Sequence, residues 1–290
     1  MAQAPLSVDS PGRVVQLDDA GVVWRIGGVV PAGDHVSWIP PGSRGWVPLN
    51  VYVLVGEQSG KRAATVIDTS YPVIESEILA GVDATAGRHT DLTLVHTRPV
   101  EFESVGNTGA LLQHRRVRAA RTPIRLQEYV YFSPRWDPPA LLERGPYWPH
   151  DDDSLDLVGL RPGDIVPVGA DSLEVLQAPL RLLATAWLYH AASGTLFTSD
   201  SFAAGLLGNP DDSPVADEPC WDAGELRAFL LAKFRWVEHA DISSLAAAVD
   251  GILTSREVRC IAPAHGRIVR GTAAAQMLAD YHAILADYRG

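Results

Sequence analysis

The first third of the chain alternates short apolar runs with turn residues, which is typical of β-strands. β-Branched and aromatic side chains fill the runs, and Gly, Pro or Asp residues separate them. The pattern predicts strands at residues 13–17, 22–26, 50–55 and 63–68. Residues 56–62 resemble a phosphate-binding loop, but they lack its glycine spacing and its final Ser or Thr, so they predict a hairpin turn.

The spacing of apolar residues changes after position 70. Ile74, Ile78 and Val82 recur at helical spacing and predict a helix, followed by a strand at 92–95 and a helix entered near Ala110. Residues 129–156 show neither period and predict a long loop. Further strands are predicted at 172–177, 184–189, 195–199 and 259–262, with helices at 223–239, 243–253 and 272–288. This order predicts an α/β fold of mixed sheets covered by helices, in a single domain spanning 1–290.

The composition excludes several classes of protein. The 290 residues are 47% hydrophobic and 20% charged, which is typical of a globular protein and not of disordered, collagen-like or coiled-coil chains. The net charge of −11 leaves no basic face for a nucleic-acid backbone, so we expect a small-molecule ligand and no nucleic-acid partner. The most apolar stretch, 176–192, contains Arg181 and His190 and is too polar to cross a bilayer. Since the N-terminus also lacks an export leader, we expect a cytoplasmic protein with no membrane partner.

Polar residues follow four of the predicted strands directly. Asp68 and His96 do so in the first half of the chain, and Asp200 and His265 in the second half. Carboxylate and imidazole groups bind metals and transfer protons. We expect these four strand ends to face one rim of the fold, which makes that rim the candidate site.

Five segments in this order resemble the metallo-β-lactamase superfamily, specifically its flavodiiron and oxygen-binding diiron branch. They are PLNVYVL at 48–54, VIDT at 66–69, VHTRPVE at 95–101, LFTSDSF at 196–202 and APAHG at 262–266. The resemblance covers about residues 13–290 and implies an αββα sandwich. It leaves no room for the flavodoxin domain of flavodiiron enzymes, so we expect neither that domain nor a flavin.

The metal motif of that branch, H-x-E-x-D-H, is degenerate in this chain. It reads HTRPVE, so that His96 is kept while Arg98 stands at the position of the Glu. Val100 stands at the position of the Asp, and Glu101 at that of the second His. Of these replacements, only Glu101 can still coordinate a metal.

The resemblance assigns three further site residues. Asp200 matches the bridging carboxylate, His265 the last histidine, and Arg181 the position of another histidine. An arginine pointing at a divalent cation would oppose it by several kcal/mol, since a unit charge pair at 4 Å interacts by about 4 kcal/mol at a dielectric near 20. The first metal position would be lined by His96, Arg98, Arg181 and Asp200, and we expect it to be lost. The second would keep Glu101, Asp200 and His265, donors that suit one iron or manganese ion. The predicted ligands are His96, Glu101, Asp200 and His265.

Charge counting favours the opposite interpretation, a site without metal. Glu101 and Asp200 contribute −2, and Arg98 and Arg181 contribute +2, so the cluster is neutral on its own. Guanidinium groups satisfy buried carboxylates well. A single iron or manganese ion and a metal-free site therefore both stay open.

Three functions stay open as well. The first is a small-molecule enzyme with at most one metal and oxidative, non-heme iron chemistry, in which Glu101, Arg98 and Arg181 act on or bind an anionic substrate. The second is a hydrolase of an ester, thioester or lactone, which needs an activated water. The third is a metal-free pseudoenzyme or binding protein. The resemblance also implies a homodimer.

Four other residues have two interpretations or none. Glu103, on an extended segment, would lie on the same side as Glu101 and serve as a substitute ligand or a general base. Asp68 is expected to brace a turn rather than touch substrate. His150, beside three aspartates, is either a metal ligand or part of a solvated acidic run. His190 has no supporting context.

Overall fold

Two β-sheets lie face to face at the centre of the computed structural model, which describes residues 14–33, 38–58, 60–123, 156–180 and 183–288. Within these residues each sheet has seven strands. Nearly all of the predicted loop 129–156, with His150, lies outside the described residues, and so does Arg181.

The first sheet pairs its strands in chain order. They are β1 (Val14–Gln16), β2 (Val23–Pro31), β3 (Trp46–Gln58), β4 (Lys61–Ile67), β5 (Asp91–Val95), β6 (Val117–Thr122) and β7 (Asp156–Gly159). Strands β1 to β4 are antiparallel, and the turn between β3 and β4 is the predicted hairpin. Strands β4 to β7 are parallel. The residues that follow β4 and β5 therefore lie at the same edge of the sheet.

The second sheet has the order β12-β14-β13-β11-β10-β9-β8. Its strands are β8 (Ile165–Val168), β9 (Asp171–Gln177), β10 (Ala186–His190), β11 (Thr195–Ser199), β12 (Val215–Ala216), β13 (Cys260–Pro263) and β14 (Ile268–Arg270). Strands β11 and β13 are parallel neighbours, with an irregularity between Phe197 and Ser199. Their carboxyl ends therefore also lie side by side.

Helices cover the outer face of each sheet. They are α1 (Glu75–Ala86), α2 (Phe102–Val105), α3 (Thr108–His114), α4 (Ala223–Phe234), α5 (Ser243–Thr254) and α6 (Gly271–Ala286). One apolar cluster packs α1 and α3 on the first sheet, and another packs α4, α5 and α6 on the second. A third fills the space between the sheets, with Ile67 and Val95 from one and Phe197 and Ala262 from the other. This arrangement is the predicted αββα sandwich.

The sequence pattern located the site-bearing strands better than the peripheral ones. β4, β5, β11 and β13 lie close to their predicted positions. β6, β7, β8, β12 and β14 are not predicted, because in β6 Arg118 and Arg121 flank a pair of alanines and the others have at most four residues. The helix predicted at 223–239 leaves α geometry after Phe234 and continues as a 3₁₀ helix over Arg235–His239. No helix in the described ranges has the length and apolar character needed to span a bilayer.

Candidate functional site

The carboxyl ends of β4, β5, β11 and β13 meet at one rim of the sandwich. Side chains join the two sheets there: Thr97 Oγ1, just after β5, lies 3.0 Å from Ser199 Oγ at the end of β11. The Tyr52 hydroxyl of β3 donates to the Pro263 carbonyl of β13 at 2.6 Å. The rim therefore carries residues from both sheets, and the strand-end residues on it are Asp68, His96, Asp200 and His265.

The backbone at two of these strand ends is strained. Asp68 and Ser70 after β4 have φ angles of 58° and 56°, and Ser199 and Phe202 at the end of β11 have 57° and 60°. Within the described part of the chain, these four are the non-glycine residues with positive φ. Such conformations cost about 1–3 kcal/mol each and cluster at functional sites. The rim is thus the place where the fold accepts local strain.

Arg98 is the centre of a buried ion cluster on this rim, with a side chain that is 1% exposed. Its Nη1 lies 2.7 Å from Glu101 Oε2 and 3.3 Å from Asp200 Oδ2, and its Nη2 donates to Glu103 Oε2. Burial alone would lower the pKa of Arg98, but Asp200 and Glu103 raise it above its ordinary value, so the guanidinium stays charged. One buried cation therefore holds three carboxylates.

Lys233, on α4, brings a second cation to the same carboxylates. Its Nζ lies 3.2 Å from Asp200 Oδ2 and 3.9 Å from Glu101 Oε2. The side chains of Lys233 and Glu101 are 12% and 26% exposed, whereas that of Asp200 is fully buried. Lys233 and Glu101 therefore form the solvent side of the cluster.

Glu103 links the cluster to His265. Its Oε1 lies 2.6 Å from His265 Nδ1, and the ring of Trp38 stacks on the imidazole with 3.7 Å between centroids. Burial would raise the pKa of Glu103, but the hydrogen bond from His265 and the charges of Arg98 and Lys233 hold it well below its usual range. Burial lowers the pKa of His265 more than Glu103 raises it. The pair at neutral pH is therefore a carboxylate accepting the Nδ1–H of a neutral imidazole.

Asp68 is buried on the same rim among neutral donors. It accepts hydrogen bonds from the Thr97 amide at 2.7 Å, from the Thr97 hydroxyl at 2.6 Å and from the Ser104 hydroxyl. Burial raises its pKa to about 6, although these hydrogen bonds lower it. Asp68 thus braces the segment after β5 and the short helix α2, rather than the turn that follows its own strand.

The His96 ring contacts neutral oxygens of the chain. Its Nδ1 lies 2.7 Å from the Ser104 carbonyl oxygen, which can only accept, and its Nε2 lies 3.4 Å from Thr108 Oγ1. Burial lowers the pKa of His96 to about 4. The imidazole is therefore neutral at neutral pH and donates its Nδ1–H to the backbone.

These residues do not fit the diiron centre that the sequence resemblance implies. The described ranges contain no group of three or more His, Cys, Asp or Glu side chains that could hold a metal ion. Glu101 and Asp200, the carboxylates best placed to do so, contact Arg98 and Lys233. A divalent cation between them would meet two positive charges at close range. The predicted metal ligands are His96, Glu101, Asp200 and His265. Their assignment stays a prediction, because the described residues contain no metal-binding group that includes them.

Sequence reasoning differs from the structure at Glu103 and misses Lys233. Glu103 lies in the one-turn helix α2, not on an extended segment, yet it reaches the same guanidinium as Glu101. Lys233 belongs to no motif. Its rarity is the signal that could have found it, because Lys61 and Lys233 are the only lysines among 24 basic residues.

Two other residues singled out from the sequence contribute nothing to the described site. Arg181 lies outside the described residues, so its predicted role stays a prediction. His190 is the last residue of β10, which is antiparallel to β11, and therefore lies at the opposite end of the sandwich. There its Nδ1 lies 2.8 Å from Ser193 Oγ.

Known structures share this fold, although no family model and no curated protein sequence matches the chain. Rubredoxin oxygen:oxidoreductase from Desulfovibrio gigas superposes with a TM-score of 0.63 at 15% identity, over 95% of this chain and 60% of that one. The flavodiiron protein from Giardia intestinalis gives 0.61 at 15%, over 98% and 61%. The Flv1 flavodiiron core from Synechocystis sp. PCC6803 gives 0.66 at 14%, over 96% and 61%.

The chain therefore has the metallo-β-lactamase fold. Within that fold its structural neighbours are flavodiiron proteins, which confirms the fold and the resemblance predicted from the five segments. The chain spans about 60% of the length of these three neighbours. At 14–15% identity the likeness is one of fold alone.

Proposed function

We propose that this chain is a metal-free counterpart of the flavodiiron fold, a pseudoenzyme or small-molecule-binding protein rather than an oxygen or nitric-oxide reductase. The observation that carries the proposal is the buried Arg98 guanidinium in contact with Glu101, Glu103 and Asp200. Lys233 adds a second cation on Asp200. The carboxylates that would have to bind a metal are thus already paired with positive side chains.

Electrostatics support this proposal over a single iron or manganese ion. A pair of unit charges at 4 Å interacts by about 4 kcal/mol at a dielectric near 20, and the effect on a dication is double. Arg98 and Lys233 lie within 4 Å of the carboxylates in question. Metal entry would require both side chains to leave, and Arg98 has no solvent around it to move into, because its side chain is only 1% exposed.

Metal content tests the proposal directly. The chain is expressed in medium supplemented with iron and manganese, purified without chelator, and analysed beside an Asp200→Ala, His265→Ala double variant. We expect far less than one metal per chain in both proteins. About one iron or manganese per chain in the wild type, absent from the double variant, would contradict the proposal and revive the oxidative enzyme.

The small-molecule side of the proposal rests on the two partly exposed members of the cluster. Lys233 and Glu101 are the groups that a ligand arriving from solvent would meet first. A thermal-shift series with small anionic, neutral and cationic compounds measures whether the site binds any of them. Ligand stabilisation that is retained in Lys61→Ala and lost in Lys233→Ala would support binding at this rim. The same stabilisation in both variants would place the ligand elsewhere.

A second candidate function, metal-free hydrolysis, is favoured by the contact between Glu103 and His265. The carboxylate fixes the imidazole with Nδ1–H toward Oε1, which leaves Nε2 as the proton acceptor. A neutral imidazole in this orientation could accept a proton from a water that attacks an ester, thioester or lactone.

Hydrolysis assays separate this candidate from a binding protein. His265→Gln is expected to abolish turnover. The Glu103 carboxylate only orients the imidazole, so Glu103→Gln should lower kcat and change its pH profile without abolishing turnover. His282→Gln, at an exposed histidine on α6, is the matched control. No turnover of any ester, thioester or lactone by the wild type would remove the candidate.

A further inference from the structure

A second cluster of nucleophilic and titratable side chains lies at the end of the sandwich opposite the rim. It is built on the turn over residues 191–194, which joins the antiparallel strands β10 and β11. His190 precedes this turn, and its Nδ1 lies 2.8 Å from Ser193 Oγ. Asp171, the first residue of β9, places its Oδ2 3.9 Å from His190 Nε2. The imidazole therefore lies between a serine hydroxyl and a carboxylate.

We propose that Ser193 is a nucleophile, that His190 is its general base and that Asp171 orients the imidazole, so that this turn hydrolyses small acyl esters. The nucleophile and the base lie within hydrogen-bond distance, and a third group lies on the far side of the base. This arrangement is the one that activates a serine. The proposal is independent of the metal-free function proposed for the rim, because the two sites share no residue.

The surroundings of His190 favour the tautomer that such a base requires. The side chain is buried, and among the described residues its Nε2 has no hydrogen-bond partner. The Asp171 carboxylate, which can only accept hydrogen bonds, lies on that side. A proton on Nε2 therefore faces a negative charge, and Nδ1 is left to accept the proton of Ser193. A separation of 3.9 Å is long for a hydrogen bond, but catalytic contacts are often loose before substrate binds and tighten in the complex.

Burial and charge together set the proton affinity of His190. Burial lowers its pKa, and the carboxylates of Asp171 and Asp18 raise it by less. The imidazole is therefore neutral at neutral pH, which is the state that accepts a proton from a hydroxyl.

The turn presents Ser193 to solvent and also holds it in place. Ser193 is partly exposed, and the two residues before it, Ala191 and Ala192, are exposed and small, so an acyl group can approach the hydroxyl. The Arg259 guanidinium donates to the Ala192 carbonyl at 2.7 Å and to the Ser193 carbonyl at 3.3 Å. Arg259 thus fixes the turn and brings a positive charge to the place where negative charge develops on an attacked carbonyl.

The reaction needs no partner other than the ester and water. Ser193 Oγ bonds to the carbonyl carbon while its proton moves to His190 Nδ1. The bond between that carbon and the ester oxygen then breaks, and the departing alcohol takes the proton from Nδ1. A water attacks the acyl group on Ser193 and gives one proton to Nδ1. That proton returns to Ser193 Oγ as the carboxylic acid leaves.

Covalent labelling tests the proposal on the full chain. The probe is an alkyl fluorophosphonate, which phosphonylates an activated serine with loss of fluoride. Intact-mass spectrometry measures the extent of labelling, and peptide mapping locates the label. We expect one label per chain, on Ser193. Ser193→Ala should lose the label, whereas the matched control Ser255→Ala, at an exposed serine at the end of α5, should keep it.

Two further variants test the roles of the other residues. His190→Gln should slow the labelling about 100-fold, the effect of losing a general base. His282→Gln, at an exposed histidine, is its control. Asp171→Asn should slow the labelling less. The rise of its labelling rate with pH should have a lower midpoint, because Asp171 raises the pKa of His190. A merely structural role of Asp171 would leave that midpoint unchanged.

The labelling of the wild type decides the proposal even if a variant fails to fold. An unlabelled wild type, or a label on any other residue, would overturn the proposal, and so would labelling of His190→Gln at the wild-type rate. p-Nitrophenyl acetate extends the test to turnover. Its hydrolysis by Ser193→Ala at the wild-type rate would place the esterase activity elsewhere and also overturn the proposal. None of these results depends on metal content, so failure here is distinguishable from failure of the metal-free function.

Discussion

Asp68 and Glu103 are two buried carboxyl groups on the same rim, with opposite surroundings. Asp68 receives hydrogen bonds from the amide and hydroxyl of Thr97 and from the hydroxyl of Ser104. Glu103, the residue before Ser104, contacts Arg98 and His265. Burial is similar at both, since Asp68 is 3% exposed and Glu103 2%. Yet the pKa of Asp68 rises to about 6, whereas that of Glu103 falls well below its usual range.

The difference shows what cations contribute to this rim. At Asp68 three hydrogen bonds from neutral donors, together with the charge of Arg98, which forms no close ion pair with it, do not offset the desolvation cost of burying the carboxylate. At Glu103 the permanent charge of Arg98 reverses the balance. A buried ion pair adds little stability relative to an apolar core, but removal of one partner leaves an uncompensated charge. The charged half of the rim should therefore be far more sensitive to substitution than the neutral half.

The largest effect is expected for Arg98→Met, which leaves three carboxylates without their shared cation. We expect a loss of about 3–5 kcal/mol in the free energy of unfolding at neutral pH, partly recovered in acid as the carboxylates become protonated. Urea denaturation measures it. Arg116→Met, at an exposed arginine paired with Asp91, is the control and should change stability by less than about 1 kcal/mol. Equal effects at the two positions would contradict the central role of Arg98.

Glu103→Gln is expected to cost about 3 kcal/mol at neutral pH, because Arg98 and His265 lose a charged partner. The pKa of Glu103 is depressed in the folded state. Its contribution is therefore complete above the unfolded pKa of about 4.3 and is lost as the pH falls through the folded value. The difference in stability between wild type and variant should shrink in acid. A difference that grows as the pH falls would be incompatible with this assignment.

Asp68→Asn should show the opposite pH dependence. Because the folded pKa is raised from 3.8 to about 6, the wild type gains stability relative to the variant as the pH falls through this window. A shift of this size corresponds to about 3 kcal/mol at most, and hydrogen-bond changes reduce it. Unfolding curves between pH 4 and 7, with Asp19→Asn on an exposed turn as the control, measure the slope. A pH-independent difference between wild type and Asp68→Asn would show that burial does not perturb this carboxyl.

Thr97→Val is expected to have the smallest effect of the four. It removes the hydroxyl that donates to Asp68 and lies 3.0 Å from Ser199, but it keeps the backbone hydrogen bond to Asp68. We expect the free energy of unfolding to fall by about 1–2 kcal/mol and the pKa of Asp68 to rise further. NMR titration measures the change in pKa. Thr254→Val, at an exposed helix end, is the control. A pKa of Asp68 that stays unchanged would mean that the hydroxyl does not bind the carboxylate.

The strand ends of the site could be predicted from the sequence, but the cluster that fills it could not. Asp68, Asp200 and His265 each come directly after an apolar run whose spacing or length is typical of a β-strand. Their place at the strand ends, and so on the rim, can therefore be predicted from the local sequence. The contact between Lys233 and Asp200 depends on how α4 packs on the second sheet, which no local pattern encodes. Sequence-based charge counting paired the carboxylates with Arg98 and Arg181, whereas Lys233 is the second cation among the described residues.

The most direct test of the account is the unfolding free energy of the wild-type chain measured in excess chelator and again in excess manganese. If Arg98 and Lys233 hold the rim together, the two unfolding curves should coincide, because no metal takes part in the folded state. A chain that is destabilised by chelator and stabilised by manganese, with the midpoint rising as the metal concentration rises, would contradict the claim that side-chain cations stand in place of the metal.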